Sequence, residues 1–160
     1  MFINVQQCPI MPAMSPGIET PGKVGKPLEF RVGDFAVRCL DVCDALPKGR
    51  SGVSNLRDQL SRSATSVAAN YAEATVPSSR RDFANKMAIA MRELVESRMW
   101  LYIISRRKYI KPHLLEALLS ETDELVRIFS ASISTARKRI FDDEMNPRKN
   151  TCDNDGNGGQ

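Results

Sequence analysis

Two long helical patterns joined by a short proline-containing turn, spanning Gln59 to Leu101, constrain this chain more than any other feature. The stretch reads QLSRSATSVAANYAEATVPSSRRDFANKMAIAMRELVESRMWL. Before the turn, Leu60, Ala64, Val67, Tyr71 and Ala74 step at three- and four-residue intervals. After it, Phe83, Met87, Ala90, Leu94 and Leu101 continue the same helical phase. This is the period of a helix with one buried face. So short a connection forces the two helices to run antiparallel.

The flanking sequence supplies two more helices. Val32, Phe35, Cys39, Val42 and Leu46 mark a helix over about 30–46, broken by PKGRSG at 47–52. The second helix covers about 54–75 and stops at Val76-Pro77. Ser79 is placed to cap the third helix, with Asp82 three residues later in a capping-box-like start, and that helix runs to about 107. KYIKPH at 108–113 forms the next turn, and Pro112 suits the first turn of a fourth helix that runs to about 141 on Leu115, Leu118, Leu125, Phe129, Ile133, Ala136 and Ile140. The expected fold is all-α, an antiparallel up-down-up-down four-helix bundle over 29–141. Residues 1–28, rich in Pro and Gly, and 142–160 are expected to be disordered tails.

Composition narrows the function classes. At 160 residues one domain with its own core is expected. No apolar run approaches the roughly 20 residues that span a bilayer. The N-terminus lacks the basic n-region of a secretory signal, so a cytoplasmic protein without membrane contact is expected. Cys39 and Cys43 share one helix while Cys8 and Cys152 sit in opposite tails, which reads as small buried hydrophobes rather than disulfides or a zinc site. The net charge is +4, and the body is more basic than that: Asp142, Asp143, Glu144, Asp153 and Asp155 outweigh Arg148 and Lys149 beyond the last helix. A basic body permits polyanion binding.

Each of the two central helices carries a second stripe. On helix two, Gln59, Ser63, Ser66, Asn70 and Glu73 flank the apolar face, and mediocre helix formers gathered on one side suggest a hydrogen-bonding seam. Simple solvation is the competing reading. On helix three, MWLYII at 99–104 is apolar around the whole circumference. Ile89, Met99, Trp100 and Ile103, with Glu93 and Glu96 among them, lie away from the core stripe and suggest a self-association surface.

No chemistry accompanies these stripes. The single histidine, His113, is not in a Glu-x-x-His pair, no glycine-rich phosphate loop is present, and Ser, Cys and His form no nucleophile–base pattern. No enzyme activity, metal or cofactor is expected. Basic residues do gather at helix ends. Lys48, Arg50, Arg106, Arg107, Lys108 and Lys111 fall at one end of an up-down bundle, and Arg80, Arg81, Arg137, Lys138 and Arg139 at the other. In a symmetric oligomer each cluster becomes a ring that attracts phosphate backbones.

The residues of helices two and three resemble a known family. Gln59-Leu60-x-Arg62-x-Ala64-x-Ser66-Val67-x-x-Asn70-x-x-Glu73 is similar to its second-helix signature QLxRAxxSIxxNIxEG, and Phe83 with KMAIAMRELVESRMWL resembles its third-helix pattern FxxKLxIAxKEAxETxYWL. Lys108-Tyr109-Ile110 resembles its GYI turn. The family is the four-helix-bundle proteins first noted in intervening sequences of large-subunit ribosomal RNA genes. The resemblance covers about residues 33–139 and departs at Ser63 and Ala74. It implies an antiparallel bundle, a homopentamer and no established catalytic activity. A related branch, the accessory variability determinant of diversity-generating retroelements, implies nucleic acid and a reverse transcriptase as partners. The expected function is a homo-oligomeric bundle that binds RNA or DNA, or a nucleic-acid-processing partner. A protein-interaction scaffold without nucleic acid is the alternative.

Overall fold

Pro27 lacks an amide hydrogen and cannot extend a helix backward, and the first helix starts directly after it. A computed structural model describes residues 26–50 and 52–146. Four helices form: α1 (Leu28–Ala45), α2 (Val53–Ala74), α3 (Arg80–Arg106) and α4 (Pro112–Met145). The disorder expected of residues 1–25 and 147–160 falls outside the described residues.

The turn chemistry explains the boundaries. Gly52, with φ 79°, enters α2 from the left-handed region that favours glycine. Arg57 on α2 donates from Nε to the Cys43 carbonyl at 3.0 Å and from Nη2 to that of Leu46 at 3.1 Å, so it satisfies carbonyls at the end of α1. Ser79 caps α3 by accepting the Asp82 amide at 3.0 Å. The Asp82 carboxylate reaches back to Ser78 rather than to Ser79, accepting from its amide and its hydroxyl at 3.0 Å each. These bonds hold Asp82 below the usual carboxylate range.

Helix α3 ends in a Schellman arrangement. Tyr109 N–H donates to the Ile104 carbonyl at 3.2 Å and Lys108 N–H to that of Ser105 at 3.0 Å, with Lys108 at φ 55°. Lysine here occupies the position that glycine fills most readily.

The core follows the apolar stripes. Phe35, Leu60, Leu94, Leu101, Ile104, Leu125 and Phe129 are fully buried. Each such side chain contributes about 1.5–3 kcal/mol relative to exposure. α2 packs on α3 and α3 on α4 along most of their lengths, while α1 lies chiefly against α2 and only lightly against α4. Across the bundle, Tyr71 stacks on Phe129 with ring centroids 5.8 Å apart. Cys39 and Cys43 are buried free thiols, and burial pushes both upward from their ordinary pKa.

One boundary differs from the sequence reading. α4 continues past 141 to Met145. Asp143 and Glu144 ion-pair with Arg80 and Arg81 at the start of α3, which holds the extra turn. At about 1.5 Å per residue α4 is roughly 50 Å long, much longer than α1.

Candidate nucleic-acid interface and flanking surfaces

The two tip segments at one end of the bundle, 46–52 and 106–113, contain Lys48, Arg50, Arg106, Arg107, Lys108 and Lys111 and no acidic residue. Their helices deliver them to the same place. The guanidinium of Arg50, from the α1–α2 turn, lies 6.0 Å from the ring centroid of Tyr109 in the α3–α4 turn. That of Arg107 lies 5.5 Å from the same ring, and its Nε donates to the Tyr109 hydroxyl at 3.3 Å. Tyr109 therefore gathers cations from both turns through its π face. All these basic side chains are exposed, and none takes part in an ion pair among the described residues.

The opposite end has a different electrostatic character. Arg80 and Arg81 are bound to Asp143 and Glu144. Arg137, Lys138 and Arg139 are exposed, but Asp142 belongs to the same stretch of α4. Sequence reasoning that ended α4 at 141 left those carboxylates in a tail and so treated the two ends as equals. The acidic final turn buries no apolar residue, since Phe141 and Met145 are exposed, and its carboxylates sit at the negative end of the helix dipole, so nothing local marked it as helical.

The polar stripe of α2 resolves into four parts. Ser63 is fully buried, and Ser97 of α3 donates to its hydroxyl at 2.8 Å. Ser63 in turn donates to the Leu60 carbonyl at 3.3 Å. Ser97 also lies 2.9 Å from the Glu93 carbonyl. Ser66 and Asn70 bond to each other within α2, with Asn70 Nδ2 donating to the Ser66 carbonyl at 2.9 Å. Gln59 accepts from Arg62 Nη2 at 2.9 Å, and the same nitrogen lies 3.4 Å from Glu96, which accepts the Trp100 indole N–H at 3.1 Å. Glu73 ion-pairs with Lys86. The seam thus joins α2 to α3 at both polar and charged positions. Ser97 was missed although it stands in the core phase of α3, between Leu94 and Leu101; a serine at such a position is the signal that could have found it.

The all-round apolar segment of α3 also resolves. Leu101 and Ile104 enter the core, and Trp100 packs half-buried at its edge. Ile89, Glu93, Glu96 and Ile103 are half-buried as well, and of the expected surface residues only Met99 is open. The exposed apolar residues are Val95, Met99 and Tyr102, at i, i+4 and i+7, and they are 49%, 53% and 53% exposed. Phe30, Val37 and Leu40 form a second exposed apolar row on α1. Among the described residues, no group of three His, Cys, Asp or Glu side chains is arranged to hold a metal ion, and no helix is long and apolar enough to cross a membrane.

Comparison with known proteins agrees with this architecture. A crystal structure of a protein of unknown function from the S23 ribosomal protein family of Bacteroides thetaiotaomicron VPI-5482 is similar at 30% identity, with a TM-score of 0.60. The match covers 66% of this chain and 96% of that one. No curated protein matches the chain. The family model described as 23S rRNA-intervening sequence protein matches residues 31–131, from the first turn of α1 into the second half of α4. The chain belongs to the 23S rRNA-intervening sequence protein family.

Proposed function

We propose that this protein is a non-enzymatic, cytoplasmic homo-oligomer, pentameric as its family resemblance implies, that binds nucleic acid or a nucleic-acid-processing partner such as a reverse transcriptase. The observation that carries this reading is the placement of Lys48, Arg50, Arg106, Arg107, Lys108 and Lys111 on two turns at one end that contain no acidic residue and make no ion pair among the described residues, while at the opposite end Arg80 and Arg81 are paired with Asp143 and Glu144. A rotational oligomer repeats that tip around its axis. The resulting ring of cations attracts a phosphate backbone by counterion release, with little dependence on base sequence. Lys108 adds support. A non-glycine residue held at φ 55° is a strained choice that adds a charge to the tip.

Two sets of substitutions test the assignment. Neutralising Arg106, Arg107 and Lys108 together should weaken binding to a generic RNA by tenfold or more at low salt. Neutralising Arg137, Lys138 and Arg139 should change it little. The reverse ranking would move the site to the other end.

A protein-interaction scaffold without nucleic acid is the second reading. The exposed row Val95–Met99–Tyr102 favours it, because such a surface serves protein contacts as readily as self-association. Absence of any nucleic-acid binding at low salt would leave that reading standing.

A further inference from the structure

Arg50 and Arg107 differ from the other cations of the basic tip. Each guanidinium lies against the ring of Tyr109, at 6.0 and 5.5 Å from its centroid. Lys48, Arg106, Lys108 and Lys111 make no such contact among the described residues. The ring itself is fixed from behind. Tyr109 N–H donates to the Ile104 carbonyl at 3.2 Å in the C-terminal stop of α3, and the half-buried side chain packs against the core. Tyr109 is the one Phe, Tyr or Trp in segments 46–52 and 106–113.

The two guanidiniums need such a support. Arg50 stands in the α1–α2 turn between Gly49 and Gly52, both in the left-handed region with φ 75° and 79°. A turn built on glycines does little to restrict a long side chain, which carries much rotamer entropy. Arg107 stands directly after α3, and its Nε donates to the Tyr109 hydroxyl at 3.3 Å. Among the described residues no backbone hydrogen bond joins the two turns. The contact of Arg50 with Tyr109 is a side-chain link between them.

We infer that Tyr109 is a positioning residue that holds Arg50 and Arg107 together as a preformed two-guanidinium site for the phosphates of a nucleic-acid backbone, and that its ring does not stack on bases. The inference rests on the binding role proposed above for this tip. Its physical basis is preorganisation: a side chain fixed beforehand loses less freedom when it binds. A ring half-buried against the core and carrying two guanidiniums is engaged with cations. The tip then reads backbone charge and is indifferent to whether bases are paired.

Two measurements on the full chain test this role. The first needs no nucleic acid. The protein is treated with phenylglyoxal, which modifies guanidiniums, and the rate at each arginine is read by mass spectrometry. In Tyr109→Leu the rates at Arg50 and Arg107 should rise at least threefold over wild type, while Arg106 keeps its own. Tyr109→Phe keeps the ring and drops the hydroxyl, so Arg107 should react faster and Arg50 should not. Unchanged rates at Arg50 and Arg107 in Tyr109→Leu would overturn the proposal. An equal rise at all three arginines would report a turn that has come apart, and the proposal then stands or falls on the Tyr109→Phe pattern.

The second measurement is anisotropy on a labelled RNA duplex and on a single strand at low salt. Tyr109→Leu should bind both about threefold to tenfold more weakly, the range set by two exposed cation–π contacts, and Tyr109→Phe should recover most of the loss. Wild-type affinity in Tyr109→Leu would overturn the positioning role while leaving the tip as a binding site. A wild-type preference for the single strand that Tyr109→Leu abolishes and Tyr109→Phe retains would make the ring a stacking platform and overturn the proposal. Wild-type protein that binds neither strand would overturn the proposed function and this role with it, whatever the modification rates show.

Discussion

Replacing Lys108 with glycine should make the protein more stable, although it removes a side chain from the tip that we assign to binding. Lys108 holds φ 55° at the C-terminal stop of α3, where its amide and that of Tyr109 close the last turn at 3.0 and 3.2 Å. An L-residue in the left-handed region costs about 1–2 kcal/mol. Glycine avoids that cost, but its freer unfolded chain gives back about 0.5–1 kcal/mol. The net gain is about 0.5–1 kcal/mol, or a rise in Tm of roughly 2–4 °C for a domain of this size. Lys108→Ala is the control, because alanine keeps the left-handed strain and loses the same charge. The assay is thermal unfolding by circular dichroism at one fixed protein concentration, since self-association shifts Tm by mass action. Any relief of repulsion within the basic tip is common to both variants, so the difference between them isolates the backbone term. A glycine variant no more stable than the alanine variant would refute the reasoning. If the tip binds as proposed, both variants should also bind nucleic acid more weakly, and the glycine variant would then gain stability while losing affinity.

Other outcomes follow from the same structure. Ser97→Ala should cost about 1 kcal/mol by removing the buried hydroxyl pair, and a double-mutant cycle with Ser63→Ala in urea should show coupling rather than additivity. Met99→Glu together with Val95→Glu should shift sedimentation to smaller species with helicity retained, because both residues are exposed in the single chain; an unchanged sedimentation coefficient would place self-association elsewhere. Burial raises the Cys39 and Cys43 thiols, so the folded state keeps protons that the unfolded chain releases above pH ~8.5. Stability should therefore fall as pH rises through that value, and urea midpoints of Cys39→Ala should decline less steeply there.

Much of the fold was legible because each helix repeats one apolar phase and is bounded by residues with plain turn chemistry. Ser79 and Pro112 mark their helix starts through effects confined to a few residues. The features that escaped depend on partners distant in sequence. The last turn of α4 is held by Arg80 and Arg81, which lie more than sixty residues earlier. Those same pairs engage two of the five basic residues at that end, and leave Arg137, Lys138 and Arg139 without an ion pair among the described residues. The polar stripe of α2 was visible, but its buried partner Ser97 was not, because a lone serine in a core phase resembles a tolerated substitution. The all-round apolar run at 99–104 signalled a surface, yet the direction of each side chain set the open row as Val95, Met99 and Tyr102, with Trp100 turned toward the core edge.

A salt titration of the wild-type protein on a generic RNA or DNA tests the central claim most directly. Association is measured by fluorescence anisotropy at several salt concentrations and plotted as log K against log salt. The account predicts binding at low salt, a straight line with a negative slope of about 0.9 for each phosphate neutralised on a duplex, and similar values for unrelated sequences. Binding that is absent at low salt, or that is insensitive to salt, would contradict it.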